Sequence, residues 1–459
     1  MMAKFRRSLF IFRRDLRVED NTGLREAIKS SDEVVPCFIF DPRLANPERE
    51  NFNPNAFQFL LESLEDLRQQ FEAKDGKLYL FSGLPKKIIG QLVVKLDIDA
   101  VFVNHDYTPF SRKRDGSIKE ICEDFNTMFL QFHDCLLNEP GTVLTQKGKP
   151  YVVFSQFYRE ASKRPVPVPS TIPGSRFYTE DPGIDLTTYP DQLLPARNER
   201  LFASGGRTNA LGMLEDISQF EDYDSQRDYP SVNGTTGLSA HNKLGTISIR
   251  EFYYSVKDEL GAGHTLIREL YWRDFFTHIA YHYPRVFRHA FREKFEKISW
   301  DYDQPGFGAW CSGNTGFPIV DAGMRELNTT GYMHNRVRMI VASFLVKDLH
   351  LDWRWGERYF ASKLVDYDPC VNNGNWQWAA STGADSQPFF RIFNPWLQQR
   401  KYDRECEYIK KWIPELSELE TKTIHALEKA ELPDNVIYRQ PMVEHGLERA
   451  RSLVIFRSV

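Results

Sequence analysis

Two hydrophobic periods divide this chain. In the first 137 residues, short apolar runs alternate with longer segments in which Leu, Ile and Phe recur every three or four positions. Residues 8–12, 33–40, 77–81 and 100–104 read as short buried strands, and 129–132 as a fifth. Residues 55–71 and 85–96 carry helical spacing. Strands separated by helices imply a parallel sheet wrapped by helices.

From 138 to 205 the pattern loosens. Pro165, Pro167, Pro169, Pro173, Pro182, Pro190 and Pro195 stand among Ser, Thr and Gly. That composition predicts an interdomain connection with one short helix at 153–162. From 206 to 459 almost every segment has helical spacing, at 210–222, 249–259, 265–283, 319–327, 337–347 and 357–364. The expected fold is an α/β N-terminal domain over 1–137, Rossmann-like in its parallel sheet, and a large all-α C-terminal domain over 206–459. The first strand runs into Arg13-Arg14-Asp15-Leu16-Arg17, which lacks the G-x-G-x-x-G turn. Dinucleotide binding in the usual Rossmann manner is not expected there.

Composition narrows the classes. The net charge of −4 gives no global positive field, so nucleic-acid binding would need a local basic face. Arg268, Arg273, Arg285, Arg288, Arg292, Lys294 and Lys297 are candidates for one. Six scattered cysteines without a C-x-x-C pair argue against a zinc site or a disulfide framework and fit a reducing compartment. No apolar run reaches the roughly 18 residues of a membrane span. A cytoplasmic, monomeric protein is expected. Aromatic content is 14%, with nine Trp, which suits a protein built around a large flat ring.

Several stretches place chemistry at fixed spacing. Gly234-Thr235-Thr236-Gly237-Leu238-Ser239 follows Tyr223 and offers hydroxyl and backbone donors to phosphate oxygens. In Glu269-Leu270-Tyr271-Trp272-Arg273, Glu269, Trp272 and Arg273 share a helical face. A carboxylate beside a broad stacking surface suits an unstacked base. Three further segments are Asn314-Thr315-Gly316-Phe317-Pro318-Ile319-Val320-Asp321, Met333-His334-Asn335-Arg336-Val337-Arg338-Met339-Ile340 and Asn372-Asn373-Gly374-Asn375-Trp376-Gln377-Trp378. Arginines can hold phosphates, amides can address a ring nitrogen, and tryptophans can pass electrons.

These motifs closely resemble the photolyase/cryptochrome family, most of all its single-flavin repair enzymes for cyclobutane pyrimidine dimers. The resemblance runs from Phe12-Arg13-Arg14-Asp15-Leu16-Arg17 to Pro441-Met442-Val443-Glu444-His445 and is strongest from Gly316 to Pro395. It implies FAD as cofactor and damaged DNA as partner. By resemblance, Tyr223, Thr235, Thr236, Gly237, Leu238 and Ser239 hold FAD, with Arg338, Asp366, Tyr367, Asp368 and Asn372. Gly237 stands where some members carry arginine, and Tyr367 where many carry glycine. Asn372 would face the flavin N5, and an aspartate there would favour a protonated ring. Glu269, Asn335 and Met339 would meet the lesion, and Trp272, Arg273, Arg336, Trp378 and Arg391 would complete the DNA surface. Trp300, Trp353 and Trp376 match an electron-transfer chain from surface to flavin. The implied reaction is light-driven electron transfer from reduced FAD to a flipped-out dimer, with no general base, nucleophile or metal.

The resemblance also implies a second, antenna chromophore near Ile39, Phe40, Asp41 and Asp106. Ser111 stands where folate-binding members carry an acid, which favours a deazaflavin, with folate or another flavin as alternatives. Two rival readings remain open. A cryptochrome photoreceptor usually carries a long C-terminal extension, which is not expected here. Six-four repair enzymes place histidines where this chain has Asn335 and Met339.

Overall fold

The computed structural model describes residues 4–174, 176–187, 194, 196–429, 433 and 436–459. Pro190 and Pro195 of the expected connection lie outside the described residues.

Five strands, β1 (Phe5–Phe12), β2 (Ser31–Phe40), β3 (Tyr79–Ser82), β4 (Ala100–Asn104) and β5 (Met128–Phe132), form one sheet in the order β3-β2-β1-β4-β5. Every pairing is parallel. Alternate residues of β1 enter opposite cores, as the strand pleat requires. Phe10 and Phe12 pack with Phe38, Phe102, Leu64 and Phe71 on one face. Leu9 and Ile11 pack with Val35, Cys37, Ile89 and Ile118 on the other. Helices Thr22–Ser30 and Pro54–Glu72 supply the first layer, Pro85–Leu96 and Pro109–Asp124 the second. This is why the strands read as unbroken apolar runs. Pro36 is tolerated inside β2 because its missing N–H falls on the side where β3 has not yet begun to pair.

The expected connection is not a free tether. Phe177 bridges Val34 and extends the sheet edge ahead of β3. Helix Phe154–Ala161 belongs to a core of the helical body, where Phe157 packs on Phe275 and His278. The backbone N–H groups of Leu137 and Asn138 both donate to the buried carboxylate of Asp274.

The helical body holds two cores, one around helix Thr265–His282 and one around Pro318–Thr330 and Asn335–Lys347. The expected helix over 210–222 is instead a helix Arg207–Glu215, a 3₁₀ turn Ile217–Phe220 and a short turn Tyr223–Gln226. Helix Pro369–Ala379 was not legible as a helix, since its sequence carries no apolar stripe. It crosses Thr265–His282 so closely that a Cβ on Gly374 would lie 2.2 Å from the Phe276 ring.

Two buried ionic clusters fasten the sheet to the helices. Arg14, just beyond β1, pairs with Asp106 at 3.1 Å and with Asp368 of the helical body. Arg250 pairs with Asp20 and Asp134, both at 2.8 Å, and Arg17 pairs with Asp134 at 2.5 Å. Sheets of this kind bind ligands at the point where strand order reverses, here between β1 and β4. In this chain Arg13, paired with Asp115, and Arg14, paired with Asp106, stand at that end of the sheet. Among the described residues, no helix is long and apolar enough to cross a membrane, and no cluster of ligands could hold a metal ion.

Candidate active site

A cavity of about 320 Å³ opens in the helical body. Its lining draws on segments far apart in sequence: the loop Thr235–Ser239, one face of Thr265–His282, the turn from Tyr332 to Met339, and residues 366–379. Each element arrives for a local reason. Gly237 takes φ +68°, a left-handed turn that brings the loop back on itself. His334 caps helix Asn335–Lys347 by accepting from the Arg336 N–H. Asp368 caps helix Pro369–Ala379, accepting from the backbone N–H groups of Cys370 and Val371.

The polar groups of the cavity are mutually anchored. Arg338 forms a two-pronged pair with Asp366, Nη2 to Oδ2 at 2.9 Å and Nη1 to Oδ1 at 3.2 Å, and Ser239 Oγ donates to Oδ2 at 2.7 Å. Burial works against the Arg338 charge, and Asp366 outweighs it. Arg338 also lies over the Tyr332 ring, which stacks on Phe202 at 3.7 Å. Glu269 accepts from Arg227 at 2.7 Å. Asn372 donates through Nδ2 to Glu357 Oε1 at 2.9 Å. Burial pushes the Glu357 carboxyl up, with that hydrogen bond working the other way. Lys243 lowers to about 8 through burial and the neighbouring Arg14 charge. Asp368 is held well below the usual carboxylate range, since Arg14, Lys243 and Arg273 outweigh its burial.

The lining collects Tyr223, the whole Thr235–Ser239 loop, Glu269, Arg273, Asn335, Arg338, Met339, Asp366, Tyr367, Asp368, Asn372, Trp376 and Trp378. Other expected residues lie elsewhere. Trp272 is outside the lining, and one of its faces is covered by Phe154 at 3.6 Å and 8°. Arg336 pairs with Asp228 at 2.6 Å and lies over Tyr402. Arg391 is exposed on a loop. Trp353 is buried, and Trp300 packs edge-on to Phe456. Near the sheet, the Ile39 and Phe40 side chains fill the two sheet cores, Asp41 pairs with Arg43, and Asp106 holds Arg14 and Ser111.

Sequence reasoning missed Arg227, Lys243, Tyr332 and Glu357. Each acts through a partner distant in sequence, as Arg227 does with Glu269 42 positions away, so no local spacing announces it. Tyr332 alone carried a signal, as an aromatic beside the Met333–Ile340 stretch.

The residues present fit FAD. Hydroxyl donors and the Lys243 and Arg273 cations suit a diphosphate, while Leu266, Leu270, Phe360 and Trp376 give an apolar wall for a ring system. Comparison with known proteins agrees. Residues 266–458 match the family described as the FAD binding domain of DNA photolyase, and residues 8–173 match the DNA photolyase family. A deoxyribodipyrimidine photo-lyase of Synechococcus is 35% identical over 98% of this chain and 96% of its own. The solved structure of a Sulfolobus tokodaii photolyase with two FAD molecules superposes with a TM-score of 0.90 at 42% identity, covering 99% of this chain and 100% of that one. A Synechocystis cryptochrome also superposes at 0.90, with 28% identity, over 99% and 100% of the two chains. With matched domains at both ends and relatives aligned from end to end, the chain belongs to the DNA photolyase family.

Proposed function

We propose that this protein repairs cyclobutane pyrimidine dimers in DNA, using light and FAD. The observation that carries the reading is that expected lesion contacts and expected cofactor contacts line one cavity: Glu269, Asn335 and Met339 share it with the Thr235–Ser239 loop and the Arg338–Asp366 pair. Reduced FAD, when bound, supplies the electron that opens the cyclobutane ring and takes it back afterwards. The rest falls to the chain. Arg338 and Asp366 fix the cavity wall as a rigid pair. Asn372, tied to Glu357, presents a fixed amide to the ring. Glu269, steadied by Arg227, accepts a hydrogen bond from a flipped pyrimidine, and Met339 packs against it. Flipping costs a few kcal/mol and least for a damaged, poorly paired base, which contributes to selectivity. Basic residues outside the cavity supply salt-dependent phosphate binding.

A second chromophore belongs to this proposal. The sequence favoured a deazaflavin, but the Sulfolobus tokodaii relative with two FAD molecules supports a second flavin. An absorption spectrum of the purified protein distinguishes the two.

The test uses two oligonucleotides, one with a cyclobutane dimer and one with a six-four product. Under blue light, reduced protein should restore the first and leave the second. Restoration of only the six-four product, or of neither, would overturn the assignment and favour the rival repair enzyme or a photoreceptor.

The Asn372–Glu357 contact makes a separate prediction. Asn372→Asp would set two carboxyls within hydrogen-bond reach, where both cannot stay ionised. One should hold its proton through neutral pH, visible as a carboxylic acid C=O band in the infrared spectrum. A fully ionised pair would mean the two side chains are not in contact.

A further inference from the structure

We propose that Trp376 feeds a second aromatic branch to the surface, ending at Tyr302, by which electrons reach the flavin independently of Trp353 and Trp300. The inference rests on FAD occupying the cavity that Trp376 lines. Among the described residues, Trp376 meets Phe360 at 5.0 Å and Trp310 at 6.1 Å between ring centroids, and makes no comparable ring contact with Trp353. Trp310 is fully buried, and its Nε1–H donates to the Val341 carbonyl at 3.1 Å. It stacks on Phe307 at 5.8 Å, Phe307 meets Trp355 at 5.2 Å, and Trp355 meets Tyr302 at 5.4 Å. Tyr302 is 79% exposed. Ring thus follows ring from the cavity wall to water.

The members have chemistry suited to their places. An electron leaves Trp376 for the oxidised, photoexcited flavin, and the deficit passes to Trp310. Among the described residues, the Trp310 Nε1–H meets the Val341 carbonyl, which does not take a proton, so the charge does not stop there by deprotonation. Phe307 is not oxidised. Its ring fills the space between Trp310 and Trp355 and shortens the gap the electron must tunnel. Tyr302 then gives up an electron and, with it, its phenolic proton to water, which traps the deficit at the surface. A thiol in solution returns one hydrogen atom and leaves the phenol restored. Tyr359 also meets Trp310, at 5.8 Å, but its hydroxyl donates to Asn328 Oδ1 at 2.6 Å with the Cys311 carbonyl at 3.0 Å as the alternative acceptor, and neither takes a proton. Burial raises that phenol as well. Tyr359 is therefore a dead end, and the branch runs through Trp355.

The experiment follows radicals and reduction in flavin-loaded protein. Flash-induced electron paramagnetic resonance should show a tyrosyl radical that disappears in Tyr302→Phe, an exposed change that leaves the fold intact. Under blue light with a thiol donor, Trp300→Phe should keep at least about a tenth of the parent rate of flavin reduction, and adding Tyr302→Phe and Trp355→Phe should lower it by about a further tenfold. A Trp300→Phe protein that no longer photoreduces, or a tyrosyl signal that is absent or survives Tyr302→Phe, would overturn the branch. Dark absorbance separates the two levels of the argument. Protein that takes up no flavin defeats the cofactor reading and the branch together, whereas bound flavin without a Tyr302 radical defeats the branch alone.

Discussion

Asp368→Ala should destabilise the protein by about 3 kcal/mol, at the lower end of the cost of breaking a buried ion pair. Asp368 does two jobs with its two oxygens. Oδ1 accepts from Cys370 and Val371 at the start of the helix that carries Asn372 and Trp376, and Oδ2 pairs with Arg14 of the sheet domain. Removing it leaves Asp106 as the carboxylate paired with Arg14 among the described residues and leaves Lys243 beside an unbalanced positive charge. Because Arg14 keeps one partner, the loss falls short of the upper end of the range. Asp368→Asn separates the two jobs. It preserves the cap, worth about 0.5–2 kcal/mol, and should recover that part only. Urea unfolding of the three proteins measures both differences.

The pH dependence of that difference has a definite sign. The folded Asp368 carboxyl lies below its unfolded value, as does Asp134 between Arg17 and Arg250. Groups depressed in this way stabilise the fold above the unfolded carboxylate range, about pH 4, and lose that contribution as pH falls through it toward the folded value. The gap between parent and Asp368→Ala should therefore be full at pH 6–8 and shrink below about pH 4. A gap that held constant into acid would mean the alanine acts through packing or the cap alone.

Which parts of this molecule could be read from its sequence follows from what each part depends on. The strands were legible because parallel strands are buried on both faces, so their apolar runs need no context. The third was misplaced by two residues, 77–81 against Tyr79–Ser82, because Lys77 and Leu78 precede the point where β3 pairs with β2. Helix Pro369–Ala379 shows the opposite case. Its chemistry was legible in Asn372 and Trp376, but its helical state was not, since the sequence offers Asn and Gly where a stripe should be and is held instead by the Asp368 cap and the Gly374 crossing. Arg14 stood in plain view after β1 and was read as the absence of a glycine turn and as part of the family motif, with no partner assigned. Its role joins residues 354 positions apart, and no local pattern encodes that. Trp272 shows a related limit: helical spacing places it beside Glu269, but no local pattern announces that Phe154, from the expected connection, covers one of its faces.

Trp376→Phe should cut light-driven reduction of bound FAD by at least about a hundredfold while leaving repair by chemically pre-reduced protein within about twofold of the parent. The two effects separate because two electrons with different origins are involved. On the proposed function, the electron that repairs DNA would pass between cofactor and lesion across the Glu269–Met339 side of the cavity. The electron that regenerates the cofactor would enter through the protein, and Trp376 is where both the Trp353–Trp300 route implied by resemblance and the proposed Trp310–Tyr302 branch would meet the flavin. Phenylalanine keeps an aromatic ring in the site but gives up the distal indole edge, whose Cη2 lies 2.1 Å from where a Gly356 Cβ would stand. It removes the oxidisable indole and its bulk, and the accompanying loss of stability should stay below the roughly 3–5 kcal/mol of a full Trp→Ala truncation. Flavin content and the urea midpoint control for that loss. Normal photoreduction in the variant would show that electrons enter without passing Trp376, and both aromatic routes would fail together. Lost repair in pre-reduced, flavin-replete variant would instead place Trp376 in the lesion step, contrary to the division of the cavity drawn from Glu269, Asn335 and Met339.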